Sequence, residues 1–131
     1  MFLDASAVIA ILMGESDAAA LAARLGQARK IYFSPIALYE AVAGLARAGN
    51  FSIADAQEVL DRFLAEITSE TIAIDGDIAR AAVHAFDRYG KGRHPAALNL
   101  GDCFAYACAK KLDVAILAKG DDFPHTDLAL A

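Results

Sequence analysis

The sequence predicts a layered α/β fold, a three-layer sandwich with a mainly parallel central sheet flanked by helices. Three observations predict it. Short apolar runs alternate with helical stretches along the chain, the pattern of repeated βαβ units. One such run, Val114 to Ala118, is almost wholly apolar, as in a strand covered on both faces. The 131 residues are 57% hydrophobic and 22% charged, ample for a continuous core and for one domain over 1–131.

Met1 to Asp4 reads as the first strand, and Ser6 to Met13 as a helix closed by Gly14. Asp17 to Gln27 repeats Ala and Leu at helical spacing. Ile31 to Ser34 is the next strand, with Ser34 as N-cap and Pro35 at the first helical position of a helix running to about Ala48 and ended by Gly49. Ser52 caps a further helix, in which Ile53, Ala56, Val59, Leu60, Phe63, Leu64 and Ile67 recur at three- and four-residue steps. Asp55, Glu58, Asp61 and Arg62 form its solvated face. Thr71 to Ile74 is the third strand and Asp77 to Tyr89 the helix after it, ended by the loop from Gly90 to Pro95. Gly101 to Lys111 is helical, Val114 to Ala118 is the fourth strand, and Leu128 to Leu130 is a candidate short last one.

Several function classes are disfavoured at this level. A net charge of −5 argues against nucleic-acid binding through a broad basic surface, which relies on Lys and Arg replacing counterions; it leaves a nuclease with an acidic pocket open. Cys103 and Cys108 fall in one helical stretch, on different faces and too far apart to bridge, and the histidines (His84, His94, His125) are scattered, so neither a disulfide nor a zinc site is expected. The Ala5 to Met13 run is far short of the ~20 residues that span a bilayer. No basic stretch precedes Asp4, which fits neither a signal nor a transit peptide, and the expected location is cytoplasmic.

The chemistry lies in the acidic residues. Asp4 follows the first strand and Asp121 and Asp122 follow the fourth, while Glu40 and Asp102 lie near the starts of two helices. In a parallel α/β sheet, strand ends and helix starts share one edge, and ligands bind there. Carboxylates brought together repel by roughly 1 kcal/mol per pair in water and about 4 kcal/mol at an effective dielectric of 20. Hard divalent ions with oxygen ligands relieve that repulsion, and such a site activates water for displacement at a phosphodiester. Asp4, Asp102 and Asp122 are assigned as ligands, direct or through water. Glu40 is a ligand or orients the attacking water, and Ser6 hydrogen-bonds a carboxylate or bound water. Each aspartate taken singly also fits a capping role; Glu40, inside the apolar run Tyr39-Glu40-Ala41-Val42, is the least expected at a surface.

With these residues in view, the sequence resembles the PIN-domain nucleases, and among them the VapC-type toxins of toxin-antitoxin pairs. The motifs are Leu3-Asp4-Ala5-Ser6-Ala7, Ser34-Pro35 with Glu40, Leu98 to Ala107 around Gly101-Asp102, and Leu117-Ala118-Lys119-Gly120-Asp121-Asp122-Phe123. The resemblance implies an endoribonuclease dependent on Mg²⁺ or Mn²⁺, a homodimer, and inhibition by a cognate antitoxin lying along the active-site groove. Asp122, directly before Phe123, fits the last acidic position of the family, with Asp121 as the alternative ligand.

Lys91 and Arg93 in the Gly-containing loop, and Lys119 beside the acidic pair, are candidate contacts to RNA phosphates. The stripe from Ile53 to Ile67, with Ile36, Tyr39 and Val42, is a candidate dimer or antitoxin interface. Two rival functions use an aspartate differently: a haloacid-dehalogenase-like phosphohydrolase, opposed by Ser6 where a second aspartate is expected, and a receiver-like domain phosphorylated at Asp75. A catalytically silent interaction module is the third alternative.

Overall fold

In the computed structural model, which describes residues 1–131, the chain runs β1 (Phe2–Leu3), α1 (Ala5–Met13), α2 (Ala18–Leu25), β2 (Tyr32–Phe33), α3 (Pro35–Gly49), α4 (Ile53–Glu66), β3 (Glu70–Thr71), α5 (Gly76–Tyr89), α6 (Leu100–Leu112) and β4 (Ile116–Leu117), followed by a short 3₁₀ turn over Phe123–His125. The four strands form one parallel sheet in the order β3-β2-β1-β4.

Alternation along the two central strands creates the layers. Phe2 stands opposite Ile116 and Leu3 opposite Leu117, and successive strand residues point to opposite faces. Phe2 and Ile116 enter a core with Ile78 and Leu98. Leu3 and Leu117 enter a second core with Val8, Phe33, Leu45 and Leu60 on the other side. Each fully buried side chain of this size contributes about 1.5–3 kcal/mol. Both faces of the central strands are therefore covered, which is why those segments are apolar without alternation. Cys103 and Cys108 are buried and unbridged, and burial pushes both thiols up to about 11. They are core-filling groups.

Capping chemistry sets most of the helix starts. Ser34 is buried and its Oγ accepts from the Ala37 amide at 3.1 Å. Ser52 Oγ does the same for Asp55 at 3.1 Å. Helix boundaries differ from expectation by one or two residues: α1 begins at Ala5, α2 is shortened to Ala18–Leu25, α6 extends over Leu100–Leu112, α3 includes Gly49 and is closed by Asn50 in the left-handed region (φ 51°), and α5 begins at Gly76 because Asp75 caps it.

The third strand is displaced from its predicted position. It covers Glu70–Thr71, and its ladder is made by the amides of Glu70 and Ile72 donating to Ile31 and Phe33 at 2.8 and 2.9 Å. It is an edge strand, and the apolar residues that suggested a longer run, Ile72 and Ile74, turn inward against the core instead. The candidate last strand is reduced to a single bridge of Leu130 with Ile116. No helix is long and apolar enough to cross a membrane.

Strand order runs outward from β1 through β2 to β3 and then returns to the far side of β1 for β4. The order reverses at the β1/β4 pair, and the crevice beyond the carboxyl ends of two such strands is where ligands bind in open parallel sheets. Asp4 directly follows β1, and the segment from Ala118 to Asp122 follows β4.

Candidate active site

Asp4 sits at the bottom of that crevice, 4% exposed. It is the N-cap of α1, and its Oδ2 accepts from the Ser6 amide at 2.9 Å and from the Ser6 hydroxyl at 2.5 Å. Ser6 Oγ in turn accepts from the Lys119 amide at 3.0 Å, tying the loop after β4 to the loop after β1. Burial holds the Asp4 carboxyl above its ordinary range, against the lowering effect of the Ser6 hydrogen bonds, and repulsion from Asp122 adds to the rise.

Asp102 occupies the first turn of α6 in a reciprocal capping arrangement. Its amide donates to Asn99 Oδ1 at 2.9 Å, and the Asn99 amide donates to Asp102 Oδ2 at 3.0 Å. A capping box satisfies both amides of the exchange, so the Asp102 carboxylate is held in place where the residue lines the pocket. Burial raises it to about 6, with Asp4 and Asp122 adding repulsion and the Asn99 amide opposing. Glu40 projects from α3, half-buried, and is raised to about 7, first by burial and then by Asp4 and Asp102.

Asp122 is exposed. Gly120 makes the turn before it in a left-handed conformation (φ +97°) that side chains rarely adopt, and buried Phe123 anchors the chain after it. The pocket wall contains Asp4, Ser6, Glu40, Asn99, Asp102, Lys119 and Asp122. Asp121 is exposed and does not line this pocket, whereas Asp122 does. Lys91 and Arg93 are likewise off the wall. Arg93 instead pairs with Asp87 at 3.3 Å and lies over the Phe86 ring. Lys119 lines the pocket, but its Nζ is engaged by Glu15 and, at 3.7 Å, by Asp17. Asp75, which a receiver-like domain would phosphorylate, caps α5 and pairs with Lys111 at 2.8 Å.

Asn99 and Gly101 escaped the sequence-based selection of site residues. The spacing of Asn99 and Asp102 is a capping-box spacing, which is the available signal for Asn99. Gly101 lies inside the motif around Asp102, but nothing in that local pattern marks it as the neighbour of Glu40.

No ion pair of the molecule reaches Asp4, Glu40, Asp102 or Asp122. The four carboxylates repel one another without a protein counter-charge, and the donor set is all oxygen, as hard divalent ions require. No three of them converge tightly enough to close a cage around one ion, so direct ligation by Asp4, Asp102 and Asp122 together is not preformed. Mg²⁺ does not need such a cage: it binds through one or two carboxylates and keeps several waters. The residues fit the ion, with part of the contact through water.

The hydroxyl of Ser6 orients the Asp4 carboxylate. Ser6→Ala is expected to weaken Mn²⁺ binding about 10–100-fold, the usual effect of removing a group that orients a ligand. Titration calorimetry reads the affinity; an unchanged constant would assign Ser6 to capping alone.

Over residues 1–128 the chain matches the family model described as PIN domain. It is 40% identical to a VapC ribonuclease of Rhizobium meliloti (strain 1021), over 97% of this chain and 98% of that one. With ribonuclease VapC36 of Mycobacterium tuberculosis it shares 42% identity, over 98% of this chain and 91% of that one. The fold is similar to that of Mycobacterium tuberculosis VapC20, a sarcin-ricin loop cleaving toxin, with TM-score 0.78 at 17% identity over 99% and 97% of the two chains. A chain of a toxin-antitoxin complex from Klebsiella pneumoniae has TM-score 0.70 at 20% identity, over 99% and 95%.

Proposed function

Because the chain belongs to the PIN-domain family, we propose that it is a VapC-type toxin, an endoribonuclease whose acidic crevice at the β1/β4 switch point holds Mg²⁺ or Mn²⁺. The observation that carries this is the group of four carboxylates on one pocket wall with no basic side chain paired to any of them. When bound, the ion supplies neutralisation of phosphodiester charge and a water of lowered pKa.

The chain's own residues do the rest. Asp4, Asp102 and Asp122 hold the ion, directly or through water. Asp4 is fixed by Ser6 and Asp102 by Asn99, so neither carboxylate must be ordered when substrate arrives. Glu40, raised to about 7 before an ion binds, stands near the value that suits a general base at neutral pH and accepts the proton of the attacking water at its carboxylate. Lys119, on the same wall, meets a phosphate oxygen of the RNA once drawn from Glu15.

The antitoxin and a second copy of the chain are the proposed protein partners, acting in the cytoplasm. Two exposed apolar grooves are available to them. One lies between α3 and α4 at Tyr39 and Ile53, and the other between α5 and α6 at Val83, Phe86 and Leu100. The first belongs to the stripe marked by the sequence; the second does not.

The test is cleavage of total cellular RNA by protein freed of copurified partners, in Mg²⁺, in Mn²⁺ and in EDTA, with Asp102→Asn as the control. That variant keeps an oxygen for the Asn99 amide, so the cap survives. Cutting that needs the metal and is lost in the variant is expected. Identical cleavage by wild type and variant would assign the nuclease activity to a contaminant, and absence of cutting in every metal would favour the silent interaction module.

A further inference from the structure

Glu40 reaches the acidic pocket across the first turn of α6, and Gly101 is the residue it crosses. A Cβ built at position 101 falls 2.1 Å from both Glu40 carboxylate oxygens and 2.3 Å from Cδ, far inside any tolerable separation. The glycine is buried, and its φ lies outside the left-handed region. Alanine adopts the same helical backbone and is the better helix former. Backbone conformation therefore does not call for glycine here, whereas the space occupied by a carboxylate does.

We infer that Gly101 is a positioning residue: its missing Cβ is the seat that admits the Glu40 carboxylate between α3 and the start of α6, beside Asp102. The consequence for catalysis rests on the nuclease function proposed above; the steric relation does not. The atoms in the way are the far end of a flexible side chain, with no backbone among them. A methyl at this position is thus accommodated by swinging Glu40 out of its seat, and the helix itself is left intact or firmer.

The test is Gly101→Ala, alone and combined with Glu40→Asp, against both parents. A crystal structure of metal-free Gly101→Ala is expected to show the fold unchanged and the Glu40 carboxylate displaced from the α6 turn, with a melting temperature equal to or above wild type. RNA cutting in Mn²⁺ should fall about 10²-fold, the effect of misplacing a reacting group by the order of 1 Å. In the Glu40→Asp background, where the carboxylate is retracted by one methylene, adding Gly101→Ala should cost little further rate. An unmoved Glu40 with wild-type cutting overturns the inference. So does a loss of rate of the same size in both backgrounds, or a fall in melting temperature, either of which marks Gly101 as a packing residue. If the wild type itself does not cut RNA, the nuclease function fails, and the position of Glu40 in the metal-free variant structure still decides whether the seat exists.

Discussion

Asp4→Asn is expected to abolish metal-dependent RNA cutting while leaving the metal-free protein more stable than wild type at pH 7.5. Both effects follow from one carboxylate. Neutralising charge on a phosphodiester is worth several kcal/mol in the transition state, and each 1.36 kcal/mol is tenfold in rate, so a loss of about 10³-fold or more is expected. The same carboxylate is buried and held above its ordinary pKa, so in the absence of an ion its charge opposes folding. Asparagine removes that charge and keeps an oxygen for the amide and hydroxyl of Ser6, since Asn and Asp cap helices about equally well. Asp4→Ala is expected to differ: it loses the cap, at about 1 kcal/mol, and strands the Ser6 hydroxyl. Thermal melts in EDTA and initial rates in Mn²⁺ check the pair. If Asp4→Asn melted below wild type, Asp4 would be a stabilising cap whose charge folding does not oppose.

In EDTA, stability is expected to fall as pH rises from about 4.5 to about 7, and Mg²⁺ to reverse the fall. A carboxyl with a raised folded pKa keeps its proton in the folded state after the unfolded chain has released it. Its contribution is complete below the unfolded values, 4.5 for Glu40 and 3.8 for Asp102, and is lost as pH passes the folded values of about 7 and about 6. Asp75 and Asp127 are shifted the other way, by Lys111 and by the Tyr106 hydroxyl respectively. Their stabilisation is present above 3.8 and is lost below it, outside this window. Solvent screening at a half-exposed site reduces the Glu40 contribution to the order of 1–2 kcal/mol. An ion at a hundredfold its dissociation constant contributes about 2.7 kcal/mol, and protons compete with it at pH 5. Melting curves from pH 4.5 to 8, with Mg²⁺ or EDTA, measure both limbs. A melting temperature in EDTA that climbs through this range would remove the case for four uncompensated carboxylates.

Much of the framework is legible in sequence because it is encoded locally. Ser34-Pro35 announces α3, and the Ile116-Leu117 run announces a strand buried on both faces. The strand ends then bring Asp4 and Asp122 to one edge by topology alone. What is not legible depends on contacts between distant segments. Ile72 and Ile74 look like strand residues, but they serve the core under an edge strand. Which of Asp121 and Asp122 faces the pocket is decided by the Gly120 turn and by the burial of Phe123. The charge of Lys119 is taken up by Glu15 and Asp17, and Arg93 is drawn to Asp87 and Phe86. The fit of Glu40 over Gly101 joins two helices far apart in the chain, and no periodicity or spacing announces it.

The pairing of β1 with β4 sets an order of events during synthesis. The first strand lies at the centre of the sheet, but its neighbour on one side begins at Ile116, so the ribosome delivers Asp4, Glu40 and Asp102 before the strand that completes their surroundings exists. Contacts of such long sequence separation form late and slowly. A chain synthesised only as far as α6 therefore carries Asp4, Glu40 and Asp102 without the strand and the Asp122 loop that complete the pocket.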